Sequence, residues 1–409
     1  MREYTFNCEV VTPLYMFGSE TQKPELRSQS FNGLFRYWFR IGGGSIEDEK
    51  RIFGFGGNNA KKGLVQIVVK QPSNINFFQY TQMDETELNK GLYYLCNFLD
   101  RSGRKNAFQP GQQFELIFRF SPLATEDDIK KFFCSVWLAI NLGNFGARAR
   151  RGFGSIKVNS IEGNDNIGDF LQFNPCAPLK DWFARNLDKI RKILFVKGRE
   201  NIPCVFDENF EIYLFKKNDF NSNFEDWKLY LSDIKQIEPT LKNESHTINE
   251  DFSNYTNLLG AMGCILKEFR YLYPDYKKLL SLIDSQQMSK SINIKMERIV
   301  FGLPINFLFK SNPNITYTIE NDSGRRASPL WLKILKANRE FEGLFILMKS
   351  SFLPEGQEIR ITSKKKNEKN KIPIGKCEIP NNSEIWRIIA NFFESLMNHN
   401  LVEKIKLKE

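Results

Sequence analysis

Histidine is scarce in this 409-residue chain: His246 and His399 are the only two. A mechanism built on a histidine base or a histidine-held metal therefore has little material. Seven cysteines stand at 8, 96, 134, 176, 204, 264 and 377, no two closer than 28 residues. That spacing disfavours a CxxC zinc ribbon, and the odd count argues against a disulfide framework. The cysteines read as small buried hydrophobes of a reducing compartment. Long apolar runs are missing too. The longest uncharged stretch, Phe132–Ala147, has 16 residues with two Asn and two Gly, against the roughly 20 apolar residues of a membrane span. The opening Met1-Arg2-Glu3-Tyr4-Thr5-Phe6 alternates like a strand rather than a secretory segment. The expected location is the cytoplasm, with no membrane partner. Neither GxxxxGK[ST] nor GxGxxG occurs, which argues against those nucleotide-binding loops.

What the chain does have is positive charge and aromatics. Lys and Arg number 58 against 48 Asp and Glu, a formal +10, and 37 Phe help bring aromatic content to 14%. Such a composition folds, and the length predicts two to three domains. Divided after residues 160 and 295, the chain carries +6, −2 and +6. An excess split between two outer segments suits a polyanion-binding surface, although a solvated basic surface fits it as well.

Residues 2–12 alternate as a half-buried strand. Phe31, Leu34, Phe35 and Trp38 mark an amphipathic helix that glycines 42–44 stop, and strands follow at Leu64–Lys70 and Gln113–Phe120. Thr125-Glu-Asp-Asp128 opens a helix with an apolar stripe from Ile129 to Ile140. Ser155–Val158 closes the set as a strand. Strand, helix, strand, strand, helix, strand is the order of a ferredoxin-like fold. After 160 the pattern loosens: helices at Trp182–Phe195 and Tyr255–Leu282, a strand at Phe210–Leu214, and a polar stretch over 216–252 that reads as a mobile connection. Strands at Leu330–Leu335 and Leu344–Met348 and a helix at Glu384–Leu396 then repeat the first half in outline. Lys364-Lys365-Lys366, Lys369 and Lys371 read as an exposed polar connection. The expected architecture is α+β: two ferredoxin-like (RRM-related) domains packed together with a helical insertion. Its boundaries are 1–160, 161–295 (a connecting strand and helices contributing to the second domain) and 296–409.

The loop Gly143–Gly154 combines Gly143, Gly146, Gly152 and Gly154 with Arg148, Arg150 and Arg151. Glycines let backbone approach a ligand closely, and planar guanidinium groups bind phosphates bidentately and stack on bases. A basic hairpin that merely closes a sheet edge is the alternative. Arg36 and Arg40 share one helix face, with Arg27 near the helix N-terminus, and Gly324-Arg325-Arg326 forms a second glycine-arginine turn. Solvated charges explain these equally well. Phe53, Phe55, Phe145 and Phe153 flank glycines where bases could stack, with core packing expected for at least half. Among carboxylates, Asp127-Asp128 is accounted for by helix capping and Glu47-Asp48-Glu49 by a solvated turn, so no catalytic metal site is expected.

These residues carry a family resemblance. Thr12-Pro-Leu14, Glu25-Leu-Arg27, Ser30-Phe-Asn-Gly-Leu-Phe-Arg-Tyr-Trp-Phe-Arg40, Phe53-Gly54 and Gly143–Gly154 resemble the RAMP proteins of CRISPR RNA-silencing systems. Within that family, Gly-x-x-Arg-x-Trp-x-Arg, Phe301-Gly-Leu-Pro304, Arg325-Arg-Ala-Ser-Pro-Leu330 and Phe352-Leu-Pro354 are similar to the first RAMP subunit of type III-B (Cmr) effector complexes. The resemblance implies a non-catalytic subunit that needs no cofactor, caps the guide-RNA 3′ end of the filament and helps engage target RNA. Its implied partners are guide and target RNA, the neighbouring sixth RAMP subunit and the backbone subunit. It places RNA contacts at Arg36, Arg40, Arg148, Arg150 and Arg151, with Arg27, Arg325 and Arg326 following; Asn32 stands where many relatives have a basic residue. An endoribonuclease on the same fold, processing guides or cutting targets with a metal, and a purely structural adaptor are the competing readings.

Overall fold

The computed structural model describes residues 2–20, 23–72, 75–79, 91–96, 106–163, 167–198, 202–235, 251–284, 293–379 and 381–406. Its first sheet contains β1 (Arg2–Val10), β2 (Val65–Lys70), β3 (Gln113–Phe120) and β4 (Ile156–Gly163) in the order β2-β3-β1-β4, all antiparallel. Helices α1 (Ser28–Ile41) and α3 (Glu126–Asn141) cover one face, and the short α2 (Ile46–Phe53) follows α1. This is the expected strand–helix–strand–strand–helix–strand unit. Alternation dictates its core: Tyr4, Phe6, Cys8 and Val10 point inward with Phe114, Leu116, Phe118 and Phe120, and meet Phe31, Phe35, Phe132 and Phe133. Phe6 and Phe133 stack with centroids 5.4 Å apart. The opposite face is polar, with Arg119 donating to Glu3 at 2.6 Å and Asn7 to Ser160 and Glu162. At the start of α3, Thr125 and Asp128 complete a reciprocal capping box.

A second unit repeats this topology. β5 (Phe210–Phe215) precedes helices α5 (Phe220–Lys235) and α6 (Tyr255–Tyr271), and β9 (Leu330–Ala337), β10 (Glu340–Met348), α8 (Asn382–Asn398) and β13 (Val402–Ile405) complete it. The sheet order is β9-β10-β5-β13, again antiparallel. One face of this sheet (Ile212, Trp331, Leu335, Leu344, Ile346, Met348) joins the core of the first unit, which also includes α4 (Leu179–Leu194). The other face (Tyr213, Leu332, Ile334, Phe345, Leu347) packs on α6 and α8. A sheet covered on both sides needs apolar residues at successive positions, and β10 is accordingly buried continuously from Gly343 to Met348.

Three expectations change. The helix expected over Tyr255–Leu282 is two, because Pro274 removes a backbone donor between α6 and α7 (Asp275–Asp284). The polar stretch at 216–252 holds helix α5, anchored by Phe220, Phe224, Trp227 and Leu231 in the core; the part from 236 to 250 lies outside the described residues. A third sheet was not anticipated: β6 (Asn293–Lys295), β7 (Ile305–Leu308), β8 (Ile315–Asn321), β11 (Ile359–Lys365) and β12 (Ile372–Glu378), in the order β6-β12-β11-β8-β7. Lys364 and Lys365 therefore belong to a strand, while Lys366, Lys369 and Lys371 are exposed around its turn. No described helix is long and apolar enough to cross a membrane.

Candidate nucleic-acid interface

The glycine-rich loop between α3 and β4 is a seam between the two units rather than a free hairpin. Gly146 and Gly154 have φ of 80° and 78°, and a Cβ there would lie 2.4 Å from the Tyr15 carbonyl oxygen and 1.8 Å from that of Phe145. Only glycine fits both demands, so the close backbone approach serves the protein's own carbonyls. Ala147 N donates to Tyr15 O at 2.7 Å and Phe145 N to Gly154 O at 2.8 Å. The loop then docks on the edge strand β9. Leu332 N donates to Arg150 O at 3.2 Å, Asn144 Nδ2 to Leu332 O at 2.8 Å, and Lys333 Nζ to Gly143 O at 2.8 Å. Thr12 Oγ1 secures the far side by donating to Gly152 O at 2.8 Å.

The arginines of the loop divide by role. Arg150 lies over Trp331, its guanidinium carbon 4.7 Å from the ring centroid, and donates to the Ser328 carbonyl. Arg326, from the Gly324 turn, lies 4.1 Å over Phe352 and donates to Phe352 O at 2.5 Å; burial, and then Arg150, push its pKa down to about 10. Arg148 adopts φ of 61° at the tip, and burial lowers its pKa. Arg151 sits among Tyr94, Arg270, Arg148 and Arg150, and burial followed by these cations takes it down to about 10. Arg325 is exposed. Removing charged groups from water costs free energy unless an anion compensates them, and among the described residues none of Arg150, Arg151, Arg325 and Arg326 is paired with a carboxylate.

Arg36 and Arg40 do share a face, but a carboxylate already lies between them. Glu49 Oε1 accepts from Arg36 Nε at 2.5 Å and from Arg40 Nη2 at 2.6 Å, and Glu49 is only 3% exposed. The expected solvated turn at Glu47-Asp48-Glu49 is thus the first turn of α2, capped by Ser45, with Glu49 turned inward and Asp48 paired with Lys131 at 3.0 Å. Arg27 occupies the N-cap position of α1 without a side-chain cap bond. Asp128, besides capping α3, accepts both donors of Arg51 at 3.0 and 2.9 Å. Among the described residues no group of three His, Cys, Asp or Glu is placed to hold a metal. Phe53, Phe145 and Phe153 are core residues; Phe55 is the one of the four that is half-exposed, with Lys50 above its ring.

Two cations escaped the motif reading. Arg270 ends α6 and donates from Nη1 to the Tyr94 hydroxyl at 2.6 Å; Arg298 opens the 3₁₀ turn Arg298–Phe301 and lies 5.5 Å over Tyr271. Both stand beside Arg151 or one another. They are isolated arginines without neighbouring glycine, so no local signal marks them; only the fold brings them to the loop.

Comparison with known proteins agrees with this architecture. Residues 7–157 match the model of the RAMP superfamily. The chain is 26% identical over 365 residues to the CRISPR system Cmr subunit Cmr1-1 of Pyrococcus furiosus, covering 86% of this chain and 88% of that one. Against Cmr1-2 of the same organism it is 29% identical over 194 residues, 39% of this chain and 97% of the relative. The crystal structure of Cmr1 from P. furiosus in its apo form superimposes with a TM-score of 0.54 at 20% identity, over 99% of both chains. The resemblance read from the motifs holds: the chain carries a RAMP-superfamily region and is similar to Cmr1 subunits over most of its length.

Proposed function

We propose that this chain is a non-catalytic RNA-binding subunit of a type III-B CRISPR ribonucleoprotein, seated where the filament holds the 3′ part of the guide and helping to engage target RNA. The sixth RAMP subunit and the backbone subunit are its proposed protein neighbours. The observation that carries the RNA reading is the concentration of arginines around the glycine-rich seam, of which Arg150, Arg151, Arg325 and Arg326 form no carboxylate pair among the described residues, in a chain similar to Cmr subunits. Arg148, Arg151 and Arg325 are the proposed phosphate contacts. Arg150 holds the seam through Trp331 and Ser328, Arg326 braces the neighbouring turn on Phe352 and Val300, both add charge beside the seam, and Gly143, Gly146, Gly152 and Gly154 fix the loop's path. Arg27 extends the surface, whereas Arg36 and Arg40, sharing Glu49, contribute a smaller net charge. The polar face of the first sheet offers Glu3, Thr5, Asn7, Glu115 and Arg119 around the buried Ile117 rather than aromatic platforms. Recognition accordingly runs through phosphate charge, not base stacking on that sheet.

The test is binding of a single-stranded RNA 20-mer to the full chain, measured by fluorescence anisotropy over a salt series. Because Arg150 stacks in the core, the informative variant is Arg148→Gln with Arg151→Gln and Arg325→Gln. Three lost phosphate contacts reduce the slope of log affinity against log salt by about 2. Wild-type affinity and slope in that variant would overturn the assignment. Labelled RNA incubated with the protein, with and without Mg²⁺, stays intact on this reading, and cleavage would favour an endoribonuclease.

A further inference from the structure

Where the loop meets α6, four guanidinium groups converge on one tyrosine. Tyr94, in the helical turn at residues 91–96, interacts electrostatically with Arg148, Arg151 and Arg298 and accepts a hydrogen bond from Arg270. That turn lies tight on α6: a Cβ on Gly91 would be 2.0 Å from Gly260 O, and one on Gly263 2.3 Å from Gly91 O. Close glycine contact is what brings Tyr94 within reach of Arg270.

The charges in this cluster are not balanced from within. Arg151 Nη1, Arg270 Nε and Arg298 Nε are buried and have no acceptor, and none of the three residues forms an ion pair among the described residues. One carboxylate, Asp275, acts on Arg298, but it is fully buried and spends its oxygens on the backbone N–H groups of Glu297 at 3.2 Å and Arg298 at 2.8 Å. Burial, and a shared hydrogen bond with Glu297, raise Asp275 to about 6. Glu297 in turn pairs with Lys278 at 2.8 Å. Like charges this close repel, and a buried guanidinium N–H without an acceptor is costly. An oxyanion with several acceptor oxygens relieves both penalties together.

We infer that Arg151, Arg270 and Arg298 form a seat for one phosphate group, contributed from both halves of the protein, and that its occupant is a phosphodiester of bound RNA. Arg151 comes from the first unit's loop, Arg270 from the end of α6 and Arg298 from the turn between β6 and β7 of the third sheet. The seat rests on the RNA-binding reading above and extends it to residues that no motif contains. It predicts that RNA touches both units at once.

The experiment uses the full chain, the same RNA 20-mer and the same salt series, with Arg270→Gln, Arg298→Gln and the pair. Each single change is expected to weaken binding about threefold to tenfold, and the pair to lower the salt slope by about 1. Arg298→Lys retains the charge and recovers the slope while losing the bidentate geometry. Because Arg270 bonds Tyr94, its substitution can loosen the fold; Arg298→Gln removes no side-chain hydrogen bond to the described protein and so carries the test alone if necessary. Inorganic phosphate at matched ionic strength separates the sources: competition with RNA in wild type but not in the pair variant supports a phosphate seat. Wild-type affinity and slope in Arg298→Gln and in the pair, with the loop variant impaired, would overturn the seat and leave the RNA reading standing. Failure of the wild-type chain to bind RNA would remove that reading first.

Discussion

Lys333 and Gly143 meet across the seam: the lysine Nζ, wholly buried, donates to the glycine carbonyl at 2.8 Å. Among the described residues no carboxylate pairs with it, and burial pushes the Lys333 pKa down to about 7. An ammonium in such a place resists protonation. The loop's first residue is therefore tied to the second sheet by a group whose charge changes near neutral pH.

That has a measurable consequence. The folded pKa is depressed below the unfolded value of about 10.5, so between pH 7 and 10.5 the unfolded chain binds more protons and stability rises with pH. Below 7 the penalty is complete, on the order of a few kcal/mol. Lys333→Met removes this dependence at the cost of one hydrogen bond to Gly143, about 1 kcal/mol. Urea denaturation at pH 6.5, 8 and 9.5 should show wild type gaining on the variant as pH rises; parallel curves would mean Lys333 is not buried as a near-neutral amine.

Arg150 should behave as a structural residue before it behaves as an RNA contact. Truncation to Ala loses a desolvated stack on Trp331 and a charged hydrogen bond to Ser328, together about 2–4 kcal/mol. A loss of that size in unfolding free energy from urea denaturation, partly recovered by Arg150→Lys, is the expected result. Unchanged stability would place Arg150 outside the seam.

How far the sequence foretells this follows from the range of each interaction. The first unit is legible because strand alternation, the stripe of α1 and the capping box of α3 are all local patterns. The third sheet was missed because β8 and β11 pair residues 38 to 50 positions apart, through short runs carrying Thr, Ser and Lys. Glu49 illustrates the same limit at the site. In a row of three acids it resembles a solvated turn, and only the packing of α2 beside α1 turns it toward Arg36 and Arg40. Arg270 and Arg298 lie far along the chain from the loop, and nothing near either one announces an anion.

The Arg36–Glu49–Arg40 arrangement makes its own prediction. Glu49→Gln leaves two arginines facing a neutral amide, and the lost charge-assisted bonds cost about 2–3 kcal/mol. Because the substitution also releases positive charge on the α1 face, RNA affinity should rise slightly while stability falls. Stability from thermal melts and affinity from anisotropy thus move in opposite directions. A parallel loss of both would mean that Glu49 holds the arginines in their RNA-binding pose, and the helix face would regain weight as an interface.

Gly33 separates these two possibilities without disturbing the pair. It lies on the exposed side of α1, two turns before Arg40, and a Cβ there would meet nothing within 4 Å. Its φ is not in the left-handed region, so alanine fits without strain. Ala in an exposed helix interior is worth about 0.5–1 kcal/mol over glycine, and Gly33→Ala should raise the urea midpoint accordingly. If RNA passes only along the seam, affinity stays the same. If a strand lies flat on α1 beside Arg36, the added methyl stands in its path and binding weakens in a protein that has become more stable. Stability and affinity moving apart in this way could not be ascribed to misfolding, so the one methyl group decides whether the N-terminal helix is part of the RNA path.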